Sequence, residues 1–313
     1  MPSSNLQIRP ADALAIAEAA ALLQAGDIVA VPTETVYGLA ADAGNSAAVA
    51  KIYAAKGRPD FNPLIVHVPD PEAAHALAEF NSMAELLADI FWPGPLTMVL
   101  PLRAGAKVAG AVTAGLPTIA IRCPAHPAMR SLLLASGLNV AAPSANKSGG
   151  ISPTRAEHVA ASLGDAVPLI IDAGPCRAGL ESTIVAVRQH GWQVLRPGPV
   201  TVAEIEAALG VPSLAEISGI EAPGQLASHY APFKPLRLNA KTANADEWLI
   251  GFGEVQSDDN LSPSADLSEA AARLFDALHR GDASNRLAIA VMPIPRDGIG
   301  EAINDRLARA AAR

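Results

Sequence analysis

The sequence predicts an α/β protein with a large domain on a twisted, mostly parallel or mixed sheet with flanking helices, followed by a small second α/β domain. Three observations lead there. Short apolar runs alternate with Ala- and Leu-rich helical stretches through roughly the first 200 residues, the pattern of a sheet with helices packed on it. Half of the 313 residues are apolar and only 17% are charged, more apolar material than one small core holds. Between 211 and 235 this periodicity gives way to Pro, Gly and Ser, the signature of a boundary, and strand and helix patterns resume beyond it.

Taken in order, residues 11–25 read as a helix with Leu14, Leu22 and Leu23 among its apolar positions and Gly26 as its stop. The strand 28–31 ends at Pro32 and delivers Thr33, Glu34 and Thr35 ahead of a second apolar patch. A helix over 46–55 runs into Lys56, Gly57, Arg58 and Pro59, which places two cations on a turn. Strand 64–68, helices 71–78 and 83–91, the breaker from Trp92 to Pro95 and strand 96–102 follow. Strand 118–122 closes on Arg122, and a helix over 127–135 leads to strand 138–142, which exits into Pro143, Ser144, Ala145 and Asn146. Thr154 and Glu157 have capping-box spacing for a helix to about Leu163. Strands 169–172, 183–187 and 192–195 and a helix over 202–209 complete the large domain, set at 1–210. Residues 211–235 form a linker, and 236–313 carry strands at 247–252 and 287–292 and amphipathic helices at 266–280 and 299–312.

The formal charge is −8, and the parts before and after residue 210 are each net acidic, unlike a protein that grips nucleic acid through its phosphates. Two cysteines, Cys123 and Cys176, make neither a disulfide framework nor a metal pair, and a reducing compartment is expected. No apolar run reaches about 18 residues and the first ten lack a signal-peptide pattern, so a cytoplasmic protein without a membrane span is expected. A Walker-type phosphate loop is absent, and Gly251 with Gly253 falls short of a dinucleotide fingerprint.

What remains are polar clusters at strand ends: Thr33 to Thr35, Lys56 with Arg58, Asn62, His67, Thr118 with Arg122, Ser144 with Asn146, Ser152, Ser182 and Arg196. If the strands are neighbours these line one crevice, suited to a polyanion and a small polar substrate. Singly, each has a plainer reading. His67 in an apolar strand is a core histidine, Lys56 and Arg58 answer a helix dipole, and Asn146 or Ser152 caps a helix. Glu34 caps the backbone after Pro32, and Tyr37 packs with a satisfied hydroxyl.

Together the motifs carry more. P-T-E-T-V-Y-G-L at 32–39, K-G-R-P at 56–59, N-P-L-I-V-H-V at 62–68, L-P-T-I-A-I-R at 116–122, P-S-A-N at 143–146 and E-S-T-I-V at 181–185 occur in one order. H-Y-A-P at 229–232, N-L-S-P-S at 260–264 and A-I-N-D-R-L at 302–307 extend the pattern to the end of the chain. The chain resembles the threonylcarbamoyl-adenylate synthases of the YrdC-like superfamily, in their long form with a linker and a small Rossmann-like C-terminal domain.

The resemblance implies an enzyme that joins L-threonine, bicarbonate and ATP into threonylcarbamoyl-AMP and pyrophosphate, using Mg²⁺ bound through ATP phosphates. It implies tRNA-modifying transferase proteins downstream and at most weak direct contact with tRNA. By position, Lys56 and Arg58 match the catalytic pair. Together with Asn62, Thr118, Ser144, Asn146, Ser152, Arg196 and the lid residue Tyr230 they match ATP-binding positions. Thr35, His67, Arg122, Ala142 and Ser182 match positions around threonine. Two other classes fit less well: an RNA-binding module without adenylation chemistry, against which the acidic balance speaks, and a carbamoyl-transfer enzyme of hydrogenase maturation, whose cysteine-rich fingers are missing.

Overall fold

The computed structural model describes residues 6–214, Ala222 and 229–312. The chain enters as β1 (Gln7–Pro10) and α1 (Ala13–Gln24), started by Asp12, whose side chain accepts from the Ala15 amide. β2 (Val29–Pro32) and β3 (Tyr37–Asp42) pair as a hairpin, and Thr33 closes its turn by donating its hydroxyl to the Val36 carbonyl at 2.7 Å. α2 (Ser46–Lys56) stops at Gly57, whose φ of 59° is the left-handed conformation that glycine adopts at least cost. Then come β4 (Ile65–His67), α3 (Pro71–His75), α4 (Ser82–Phe91), β5 (Leu96–Pro101), α5 (Gly110–Thr113), β6 (Thr118–Arg122), α6 (Pro127–Ser136) and β7 (Val140–Ala141). α7 (Ala156–Leu163), β8 (Leu169–Asp172), the hairpin of β9 (Thr183–Arg188) and β10 (Gly191–Arg196), and α8 (Val202–Leu209) complete the large domain.

Its ten strands form one mixed sheet in the order β1-β8-β2-β3-β7-β4-β6-β5-β9-β10. Alternate residues of β2 feed opposite faces: Val29 and Val31 join α1 and α6, while Ala30 joins the larger core under α2, α4, α7 and α8. Ile52 of α2 is fully buried in that larger core, and truncating it to alanine would cost roughly 2–5 kcal/mol.

The second unit comprises β11 (Leu236–Arg237), β12 (Glu247–Gly251), β13 (Asp259–Asn260), α9 (Leu267–Ala283), β14 (Ala288–Val291) and α10 (Gly300–Ala311). Its strands form a separate parallel sheet, β11-β14-β12-β13. Its core is not self-contained. Val36, Ile151 and Leu180 of the large domain and Tyr230 of the linker pack into the same cluster as Leu274, Phe275 and Leu278 of α9.

Two expectations need correction. Thr154 and Glu157 form no capping box: α7 starts after Arg155 without a side-chain cap, and the Thr154 amide instead donates to His158 Nδ1. A capping box does form at α8, between Thr201 and Glu204. The strand expected over 138–142 shortens to β7; the Ala142 amide still bonds the Ile65 carbonyl, and Pro143 beyond it has no amide to carry the ladder on. Of the expected linker, 215–221 and 223–228 lie outside the described residues.

Candidate active site

β4 and β6 run parallel with His67 opposite Arg122, so both side chains emerge at one sheet end beside the hairpin turn that carries Thr35. Arg122 is held on three sides. Its Nε donates to the Gly94 carbonyl at 3.1 Å, its Nη1 to Thr35 Oγ1 at 2.9 Å, and its Nη2 lies 2.6 Å from Glu34 Oε1. Glu34 therefore does more than cap the chain after Pro32. Its carboxylate accepts the Ala125 and His126 amides and pairs with Arg122, which outweighs burial and lowers its pKa. His67 is buried, and burial with the nearby Arg122 charge pulls its pKa down to about 3, so the imidazole is neutral at physiological pH. Its Nδ1 has no hydrogen-bond partner among the described residues.

On the adjoining wall, Ser182 shares a 2.7 Å hydrogen bond with Thr97 and accepts on its hydroxyl and carbonyl from Arg196. Arg58 points inward from the turn after α2, donating to the Asn62 carbonyl at 3.1 Å and the Pro63 carbonyl at 2.8 Å. Burial lowers its pKa to about 10, which leaves it charged. Lys56 is not the solvated helix end that its position suggests. It is buried, its Nζ donates to the Ser144 and Asn146 carbonyls at 2.5 Å each, and burial followed by the Arg58 and Lys147 charges pulls its pKa well down.

Thr35, Arg58, His67, Arg122, Ala142, Ser144, Ser182, Arg196 and Tyr230 line one pocket. Lys56, Asn62, Asn146 and Ser152 stand behind this surface. Asn146 Nδ2 ties its own loop to the Lys147 and Gly150 carbonyls, and the Asn62 amide group has no partner among the described residues. Thr118 starts β6, at the far end of that strand from Arg122, and does not line the pocket.

Thr33, of the strand-end cluster expected to line the crevice, also lines it, as do Glu181 and His229, neither of which was assigned a binding role from sequence. Glu181 is the one carboxylate among the lining residues. It accepts Arg306 Nε at 2.7 Å on one oxygen and a close contact from the Ser152 hydroxyl on the other. The linker covers the pocket with His229 and Tyr230. Tyr230 adopts φ 64°, is 1% exposed, and is pinned by the next amide, Ala231, to the Gly149 carbonyl. So closed, the pocket has about 50 Å³ of free space, far below the several hundred Å³ of a usual ligand site.

A mixed α/β sheet whose strand ends bring three guanidinium groups, hydroxyls and a neutral imidazole under an aromatic cover has the donor set of a protein that handles anions together with a small polar partner. The comparisons make that class particular. A family model described as "Telomere recombination", for Sua5, YciO and YrdC, matches residues 21–198. A second, "Threonylcarbamoyl-AMP synthase, C-terminal domain", matches residues 200–312. The chain belongs to this family. It is 40% identical to the threonylcarbamoyl-AMP synthase of Bacillus subtilis over 95% of this chain and 92% of that protein. It is 37% identical to the one from Pyrococcus abyssi over 94% and 93%. The crystal structure of P. abyssi Sua5 complexed with L-threonine superposes with a TM-score of 0.88 at 35% identity, covering 98% of this chain and 96% of that one.

Proposed function

We propose that the protein synthesises threonylcarbamoyl-AMP and pyrophosphate from L-threonine, bicarbonate and ATP, for threonylcarbamoyl-adenosine formation on tRNA by downstream transferases in the cytoplasm. The observation that carries this reading is the convergence of Arg58, Arg122 and Arg196 with Thr35, His67 and Ser182 in one covered pocket, in a chain of this family.

Threonine sits at the Arg122 end. Arg122 presents its fork to the carboxylate, and Thr35 and Glu34 keep that fork from rotating. The His67 imidazole and the Ser182 hydroxyl, both in the pocket lining, serve the amine and hydroxyl side, where a neutral imidazole exchanges hydrogen bonds without repelling an ammonium. Threonine, through its neutral amine, and bicarbonate give a carbamate and water, and a carbamate oxygen then forms a bond to the α-phosphorus as the bond to pyrophosphate breaks. All the reacting groups are anions, so positioning and charge neutralisation lower the barrier and no covalent protein nucleophile is needed.

Arg58 and Arg196 lie against the phosphates. Lys56 acts by holding the 144–146 turn through its two carbonyl contacts, which presents Ser144 to the nucleotide. Asn62, Asn146 and Ser152 back the nucleotide side, and Thr118, outside the covered pocket, meets only a part of the nucleotide that extends beyond it. The lone lining carboxylate is already taken by Arg306 and Ser152, so the donor set suits Mg²⁺ that arrives on the nucleotide with phosphate and water ligands, where it neutralises phosphate charge. Nucleotide entry needs more than 50 Å³, so Tyr230 lifts to admit ATP and closes over it.

The test is incubation of the purified protein with ATP, Mg²⁺, threonine and bicarbonate. Expected are threonine-dependent pyrophosphate and the mass of threonylcarbamoyl-AMP; folded protein that yields neither would falsify the reading.

A further inference from the structure

The carboxylate of Glu181 faces a pocket that binds anions, and it is only 6% exposed. Left bare, it would repel a triphosphate and draw the neighbouring guanidinium of Arg196 onto itself. The group that answers it comes from the other domain. Arg306, on α10, is fully buried and uses its whole fork. Nε donates to Glu181 Oε2 at 2.7 Å, Nη2 to the Pro197 carbonyl at 2.9 Å, and Nη1 to Asp305 Oδ2 at 2.6 Å. Its guanidinium carbon lies 5.2 Å from the centre of the Tyr230 ring, which also meets His229 at 4.1 Å and Phe275 at 5.7 Å between ring centres.

We infer that Arg306 is a positioning residue of the catalytic pocket: it neutralises Glu181, anchors the turn after Arg196 and backs the Tyr230 cover, so the C-terminal domain completes the nucleotide site. This rests on the function proposed above. Each contact has a separate consequence. With one Glu181 oxygen held by Arg306, the other is fixed against the Ser152 hydroxyl, which orients Ser152 from behind the pocket surface. Anchoring the Pro197 carbonyl fixes the residue after Arg196, leaving the Arg196 guanidinium bonded to Ser182 and directed along the wall. Packing beneath Tyr230 couples closure of the cover to docking of the C-terminal domain. The groups facing Glu181 are Arg306 with Asp305 from α10, Arg196 from β10, the Ser152 hydroxyl, and His229 and Tyr230 from the linker. Burial alone would raise its pKa; Arg306, and after it Arg196, hold it low.

The test compares wild type, R306M, R306K, E181Q and R306M/E181Q in threonine-dependent pyrophosphate release across pH 6 to 9, with ATP binding followed by calorimetry. In R306M the Glu181 carboxyl loses its counter-charge and its pKa rises. Activity then falls as pH rises through that value and the bare carboxylate appears, with affinity for ATP weakened roughly tenfold or more. R306K keeps a charge and shows the loss without the pH limb. R306M/E181Q, with neither charge but still without the Pro197 and Tyr230 contacts, recovers part of the lost ATP affinity and loses the limb, an outcome that a merely structural arginine would not give. ATP affinity in R306M equal to wild type, or a double variant as impaired as R306M, overturns the inference. An inactive wild type instead refutes the proposed reaction, and because ATP binding is read without turnover the two failures are separable.

Discussion

Arg122 offers five donors in a rigid plane, and three of its directions are committed before any substrate arrives, to Gly94, Thr35 and Glu34. A carboxylate then meets a fork that need not reorganise, and most of its recognition lies in geometry rather than charge. Arg122→Lys keeps the charge beside Glu34 but loses the fork. It is expected to lower kcat/KM for threonine by about 10- to 100-fold, the equivalent of ~1.5–3 kcal/mol for a charge-assisted hydrogen bond, with KM for ATP unchanged. Steady-state kinetics with each substrate varied would decide this, and an equal rise in both KM values would count against a threonine-specific role. The sequence motifs located Thr35, His67, Arg122, Ser182 and Arg196, because hydroxyls, imidazole and arginine at strand ends are legible as a pattern. Glu34 and Glu181 were hidden because their partners are remote. The guanidinium that takes Glu181 is Arg306, more than a hundred residues further along the chain, and no local spacing announces such a pairing. Lys56 was legible as a cation but not as one turned inward onto two carbonyls, which only the tertiary fold supplies.

The loop between β8 and β9 joins the domains through Gly179. A Cβ there would lie 2.4 Å from Ala272 Cα and 2.5 Å from the Ala271 carbonyl of α9, and its φ is 68°. Gly174, in the same loop, has φ 75° but open space around it. Alanine at either position carries the left-handed strain, about 1–2 kcal/mol; only at 179 does it also push α9 away. Gly174→Ala should therefore lower the urea midpoint modestly and leave turnover intact, whereas Gly179→Ala should lower the midpoint further and reduce turnover. Matching effects of the two in both assays would contradict the docking role. Elements with strong periodicity or clear stops were readable: β6, β8 and α8 match their expected limits, and α2 and α6 run one residue past their expected ends to left-handed glycine caps. β1 and β3 were not, because Gln7 to Pro10 is largely polar at a sheet edge and Tyr37 to Asp42 is mostly small residues, so neither shows a strand pattern without its partners.

Across the whole molecule, the buried histidines tie stability to pH with one sign. His67 on β4, His229 in the linker and His279 on α9 each have a pKa near 3, in every case chiefly because burial disfavours the charged form. His279 also stacks on His158 across the domain boundary, with ring centres 3.8 Å apart, and its Nε2 lies 3.1 Å from the Ser152 carbonyl. In the unfolded chain these imidazoles titrate near 6.5, so between about 3 and 6.5 the unfolded state binds protons that the folded state refuses. Stability therefore rises with pH through that window and levels off above it. Glu34, Glu181 and Asp276, all held below the usual carboxylate range, add stability that is present above their unfolded pKa and lost as pH falls through their folded values. Each refused proton is worth up to ~1.4 kcal/mol per pH unit, so the three histidines together give a slope of about 3–4 kcal/mol per unit between pH 6 and 5. That is a large share of the ~5–15 kcal/mol by which domains are stable, and it acts on both domains and the linker at once. The urea midpoint is expected to drop steeply from pH 7 to 5 and to change little from these groups between pH 7 and 8. His279→Gln, which deletes one refused proton, should flatten the slope by about a third, and an unchanged slope in that variant would show that the interdomain histidine is not held neutral.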